Sequence, residues 1–187
     1  MKKQPNKTVI TGPTILTITR MVLVLPFMIC VMNESTASKI FALAIFSAAA
    51  ITDLVDGKWA RKQHLETDMG AFLDPLADKM LVDLAFLSLV YVNIIPLWMF
   101  AVIIVRDLAV DGMRMMAARE GVTIAASIYG KTKTMLQMIT LISILANSFI
   151  GSDIIANINM VMLYVVIILT VFSGADYIFR GWKKVIR

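Results

Sequence analysis

An all-α integral membrane protein is the fold class this sequence predicts, with six transmembrane helices around a polar cavity open to the cytoplasm. Three observations carry the prediction. Of the 187 residues, 59% are hydrophobic and mean hydropathy is +0.80, well above a soluble domain, where roughly half of the residues are apolar. Apolar runs of spanning length, about 20 residues, recur along the chain. The ionisable residues that interrupt these runs gather toward one end of each.

The elements follow in order, within one domain over 1–187. Residues 1–12 are basic and polar and read as a cytoplasmic N-terminal tail; Arg20 breaks the apolar stretch that follows and no small-residue cleavage site is evident, which argues against a cleaved signal peptide. The first span is Pro13–Val31, with Pro26 expected to kink it. The second begins near Ser38 and runs into ITDLVDGKWARKQHLETDMGAFLDPLADKM, residues 51–80. The third covers Phe72–Asn93, the fourth Pro96–Ala118, the fifth Ser127–Phe149 and the sixth Ile154–Phe179, leaving 180–187 as a cytoplasmic C-terminal tail. The single cysteine, Cys30, lies in an apolar run and permits no intramolecular disulfide.

Basic residues set the orientation. With the N-terminus inside, the inner segments hold Lys2, Lys3, Lys7, Lys58, Arg61, Lys62, Arg119, Arg180, Lys183, Lys184 and Arg187, whereas only Lys39 flanks the outer connections. The net charge of +5 is thus read as cytoplasmic anchoring of a multi-pass inner-membrane or plasma-membrane protein, not as nucleic-acid binding. Trp98 and Trp182 fall near opposite interfaces, as in an aromatic belt.

In this orientation Arg20, Asp53, Asp56, Asp74, Asp78, Arg106, Asp107, Asp111, Arg114, Lys131 and Lys133 all come to the cytoplasmic level. Charges in a bilayer are costly and face a protein interior or a water-filled cavity. Asp53 and Asp56 are three apart and Asp74 and Asp78 four apart, so each pair shares one face of a helix. A short connection between the helices makes them antiparallel neighbours and lets the carboxylates meet across one seam. Such a group repels itself unless protonated or bridged by cations, and hard oxygen ligands suit Mg²⁺ or Mn²⁺. Four carboxylates are enough for two ions. The alternative for these aspartates is capping and solvated loop charge, which suits Asp68 and the Asp74–Pro75 step.

Together the residues Asp53-x-x-Asp56-Gly57-x-x-Ala60-Arg61, then Gly70-x-x-x-Asp74-x-x-x-Asp78, resemble the signature of the CDP-alcohol phosphatidyltransferases at every defining position. The resemblance implies transfer of a phosphatidyl group from CDP-diacylglycerol to an alcohol, with release of CMP. It implies two divalent cations on Asp53, Asp56, Asp74 and Asp78, with Asp78 also the base that deprotonates the acceptor hydroxyl. It places the CDP pocket on Asp53, Gly57, Ala60, Arg61 and Gly70, to which Thr17 is added, and it suggests a homodimer in contact with membrane lipid.

Three further segments, Pro13–Arg20, Arg106–Arg114 and Gly130–Met138, resemble the family members that use glycerol 3-phosphate as acceptor. Thr14 stands where those members usually carry asparagine, and Val105-Arg106-Asp107 where they usually carry Ala-Arg-Glu. Arg106, Arg114, Lys131 and Lys133 are the expected donors to an acceptor phosphate; the competing reading pairs Arg106 and Arg114 with Asp107 and Asp111 along their own helix. Inositol phosphate is the alternative acceptor. A divalent-cation transporter is the alternative of a different class, disfavoured because its site belongs near the midplane between repeated halves. His64 reads as a loop residue, and Asp83 as the ion-pair partner of Lys79 one turn earlier or of a group that the sequence does not identify.

Overall fold

The structure is a computed structural model that describes the backbone of residues 12–63, 68–120 and 128–185, and the side chains of residues 18–52, 79–117, 119–120 and 128–181. Its elements are α1 (Gly12–Met32), α2 (Thr36–Gln63), α3 (Asp68–Tyr91), α4 (Leu97–Arg119), α5 (Ile128–Ile150) and α6 (Asp153–Val185). The described residues are all-helical, with six helices and no strand. Each expected span corresponds to one helix. The differences lie at the ends: α3 starts at Asp68 and not Phe72, and α6 continues past Phe179 through Lys183 and Lys184. Hydropathy reports where lipid contact ends, whereas a helix continues while its backbone bonds are satisfied; cations in a last turn also favour the helix dipole.

Among the described residues two helical stretches, Ile128–Ile150 and Asp153–Gly181, are long and apolar enough to cross a membrane, and shorter apolar stretches cover Ile18–Met32 and Thr36–Thr52. The chain divides into two compact units, Met1–Val92 and Asn93–Arg187.

In the first unit α1 packs on both α2 and α3. Its buried stripe is Val24, Phe27 and Val31; α2 contributes Ala42, Phe46, Ala49 and Ala50, and α3 Leu81, Val82, Ala85, Phe86 and Leu89. The three- and four-residue spacings are those of a helix face. The alanines of α2 let backbones approach closely, and the rings of Phe27 and Phe46 meet at 5.8 Å. α1 runs without a break through Pro26. Ser88, fully buried, satisfies its own hydroxyl by donating to the Leu84 carbonyl at 2.7 Å.

In the second unit α6 packs on both α4 and α5. Its inner stripe, Asn159, Leu163, Val166, Thr170, Ser173 and Tyr177, alternates steps of four and three and is buried throughout. The half nearer Asp153 is mostly apolar and the half nearer Val185 polar, so one helix serves as both core and site wall. Ser143 of α5 donates to Asn159 Oδ1 at 2.6 Å, and Trp98 of α4 meets Tyr164 of α6 at 6.3 Å.

The α5–α6 turn is closed by local chemistry. Gly151 takes φ +71°, the left-handed conformation favoured just after a helix, and its N–H reaches the Asn147 carbonyl at 2.9 Å. Asn147 Nδ2 donates to the Ser152 carbonyl at 3.1 Å, and the Ser152 N–H donates back to Asn147 Oδ1 at 3.0 Å. Ser152 accepts the first bond of α6 from the Ala156 N–H, and Asp153 adds negative charge to the first turn. Asn93, at φ 58°, does the same service as Gly151 after α3, since asparagine tolerates this region better than most residues.

Candidate active site

The motif residues lie on continuous helix. α2 extends through Asp53, Asp56, Gly57, Ala60 and Arg61, and α3 through Gly70, Asp74 and Asp78. The same-face spacing expected for each aspartate pair therefore holds for the backbone. It also places Pro75 inside α3 and not at its first position. The side chains of Thr17 and of every motif residue from Asp53 to Asp78 lie outside the described residues, as does His64. Among the described residues no three His, Cys, Asp or Glu side chains group as a metal site.

The second unit carries a basic site whose geometry is described. Asp107 of α4 is its centre. Lys133 Nζ of α5 donates to both Asp107 oxygens at 2.8 Å. Arg106 Nη1 donates to Asp107 Oδ1 at 2.9 Å, and Arg106 Nη2 to Ser173 Oγ of α6 at 2.9 Å. One carboxylate thus holds two cations. Lys133 is only 2% exposed, so its charge is sustained by that carboxylate. A charge at such depth without a partner would be far more costly than the pair.

Two donors around this cluster are left over. Arg106 Nε and Gln137 Nε2 are buried without a hydrogen-bond partner among the described residues. Gln137 stands one turn after Lys133 on the same buried face of α5. Two turns along α4 from Arg106, Arg114 Nε donates to the Tyr177 hydroxyl at 3.1 Å, and its guanidinium lies 5.3 Å from that ring centroid. Lys131 is exposed and does not join the Asp107 cluster. Arg180, also exposed, pairs with Asp176 one turn earlier at 2.7 Å.

Of the four expected phosphate donors, the structure brings Arg106 and Lys133 together and sets Arg114 against Tyr177. The helix-pairing alternative holds for Arg106 with Asp107. Asp107 and Lys133 are far apart in the chain and on different helices, so local spacing does not pair them; they meet only once α4 and α5 both pack on α6. Ser173, Gly174 and Tyr177 likewise join the site only through the packing of α6 on α4. A usable signal was present: polar residues in an apolar helix recur at 170, 173 and 177, a helical spacing that points inward.

Residues 10–172 match the model of the family described as CDP-alcohol phosphatidyltransferase. The chain is 37% identical over 183 residues to the CDP-diacylglycerol–glycerol-3-phosphate 3-phosphatidyltransferase of Bacillus subtilis, covering 96% of this chain and 95% of that protein. It is 36% identical over 174 residues to a probable phosphatidylglycerophosphate synthase of Mycobacterium tuberculosis, covering 91% and 81%. To the Rickettsia bellii protein named like that of B. subtilis it is 34% identical over 174 residues, covering 92% and 95%. The chain belongs to the CDP-alcohol phosphatidyltransferase family.

Proposed function

We propose that the chain transfers the phosphatidyl group of CDP-diacylglycerol to glycerol 3-phosphate, forming phosphatidylglycerol phosphate and CMP. The observation that carries this reading is identity of 34–37% over nearly the full chain to relatives named for that reaction. The basic cluster on Asp107 supports it independently. Arg106, Lys133 and Asp107 together leave one positive charge, and Arg106 Nε is a spare donor, as an acceptor with its own phosphate requires.

The four motif aspartates suit two Mg²⁺ or Mn²⁺ ions in donor chemistry. They supply hard carboxylate oxygens in pairs on continuous helix. Bound there, the ions would supply charge neutralisation at the pyrophosphate and at departing CMP. Asp53, Asp56, Asp74 and Asp78 would hold them, and Asp78 accepts the acceptor hydroxyl proton. The resulting alkoxide oxygen bonds to the phosphorus attached to diacylglycerol, and the bond from that phosphorus to CMP breaks. Gly57, Ala60, Arg61, Gly70 and Thr17 form the CDP pocket. Arg106 and Lys133 hold the acceptor phosphate, with Arg114 and Lys131 on its approach.

This chemistry belongs at a membrane surface, because the donor's acyl chains must stay in lipid while its head group reaches the ions. We therefore read all six helices as spanning, with the cavity and both termini cytoplasmic, and the working unit as a homodimer.

The reaction is tested by CMP release from purified protein in detergent with CDP-diacylglycerol and Mg²⁺. Glycerol 3-phosphate, inositol phosphate, glycerol, serine and no acceptor are compared in parallel. Release that requires glycerol 3-phosphate and is lost with EDTA is the expected result. Release with another acceptor only would overturn the acceptor, and metal-independent release would overturn the role of the aspartates.

A further inference from the structure

Arg106 is held by more than its counter-ion. Ser173 and Gly174 are consecutive buried residues of α6, and Arg106 lies against both. The Ser173 hydroxyl donates its single proton to the Thr170 carbonyl at 3.2 Å, so its oxygen is free to accept Arg106 Nη2 at 2.9 Å. Gly174 supplies the room. A Cβ at that position would stand 2.7 Å from Arg106 Cγ, 3.5 Å from Nε and 3.7 Å from Cδ. The first distance is shorter than side chains tolerate, and the atom that must yield belongs to the stem of Arg106, not to its free end. α6 is regular helix at this point, so Gly174 is not needed for an unusual backbone conformation. What the missing side chain provides is a notch for Arg106.

We infer that Ser173 and Gly174 are positioning residues for the acceptor: together they seat Arg106 so that it and Lys133 present one preformed cationic site to a phosphate monoester. This rests on the reading of Arg106 as an acceptor-phosphate residue. Arginine has a long, entropically costly side chain, and fixing it in advance removes that cost from binding. The seat uses one N–H on each of Nη1 and Nη2. That leaves the second N–H of each terminal nitrogen uncommitted.

The test is steady-state kinetics of CMP release in detergent for the parent, Gly174→Ala, Ser173→Ala, Arg106→Ala, and each α6 variant combined with Arg106→Ala. Gly174→Ala is expected to raise KM for glycerol 3-phosphate about tenfold and Ser173→Ala about threefold, as loss of part of a charge-assisted contact implies. KM for CDP-diacylglycerol should stay within about twofold in both, since independent sites do not couple. In the Arg106→Ala background either α6 change should add less than about twofold, because a residue acting through Arg106 has nothing left to act on.

Undiminished KM effects in that background would make Ser173 and Gly174 merely structural and overturn the inference. So would a raised KM in Arg106→Ala with none in the α6 variants. If Arg106→Ala itself leaves KM for glycerol 3-phosphate unchanged, the acceptor role of Arg106 fails, and the inference fails with it. Thermal unfolding in detergent accompanies each variant; should Gly174→Ala not fold, Ser173→Ala and its double variant decide the question.

Discussion

Substituting Asp107 by asparagine removes the charge that two cations share, with little change of shape. The carboxylate lies 2.8 Å from Lys133 Nζ and 2.9 Å from Arg106 Nη1. For unit charges at 2.8 Å and an effective dielectric of about 20, the Coulomb attraction is about 6 kcal/mol before desolvation is charged against it. The net loss is smaller. Arg106 has 14% of its side chain exposed and Asp107 13%, so some water relaxation is available there. Lys133, at 2% exposure, has none. Leaving one member of a buried pair uncompensated costs about 3–5 kcal/mol, and asparagine still offers one acceptor oxygen. We expect Asp107→Asn to destabilise the protein by about 3 kcal/mol.

The assay is equilibrium unfolding in mixed micelles with a rising fraction of denaturing detergent, followed by helical circular dichroism. Lys133→Met and the double variant Asp107→Asn/Lys133→Met are measured beside it. Methionine removes the orphaned ammonium at similar volume, so the double variant should recover about half of the loss, roughly 1.5 kcal/mol, and cost less than the two singles added together. Stability of Asp107→Asn within about 0.5 kcal/mol of the parent, or a double variant equal to the sum of the singles, would refute the view that this carboxylate sustains the buried lysine.

Further expectations concern the site and the turn. Asp78→Asn should lower CMP release by about 10²-fold or more, as loss of a general base does, and EDTA should abolish release in the parent until Mg²⁺ or Mn²⁺ is restored. Release at the parent rate in that variant would exclude Asp78 from the chemistry. Gly151→Ala meets no atom within 4 Å of the new Cβ, so its cost is backbone strain alone, about 1 kcal/mol at φ +71°. Gly151→Asn should cost less in the same unfolding experiment, and a neutral alanine there would mean that the turn relaxes freely.

The sequence by itself determined what depends on neighbours along the chain. Six apolar runs became six helices, because hydropathy over a window of spanning length is a local property. The aspartate spacing held on α2 and α3, because helical geometry converts a separation of three or four residues into a shared face. Family membership was legible for the same reason: the signature is a pattern of residue types at set intervals. Helix ends were less legible, as Asp68 and the helical stretch beyond Phe179 illustrate, since polar residues end lipid contact without ending the backbone ladder. The tertiary structure alone decided which charge meets which. Spacing along the chain does not show that the buried Lys133 is held by both oxygens of Asp107, one helix away. Ser173 and Gly174 read as small residues in an apolar helix until α4 lies against them and Arg106 fills the space a side chain would take. Contacts between helices depend on crossing geometry and on the volume left between two faces, and neither quantity is a property of one stretch of chain.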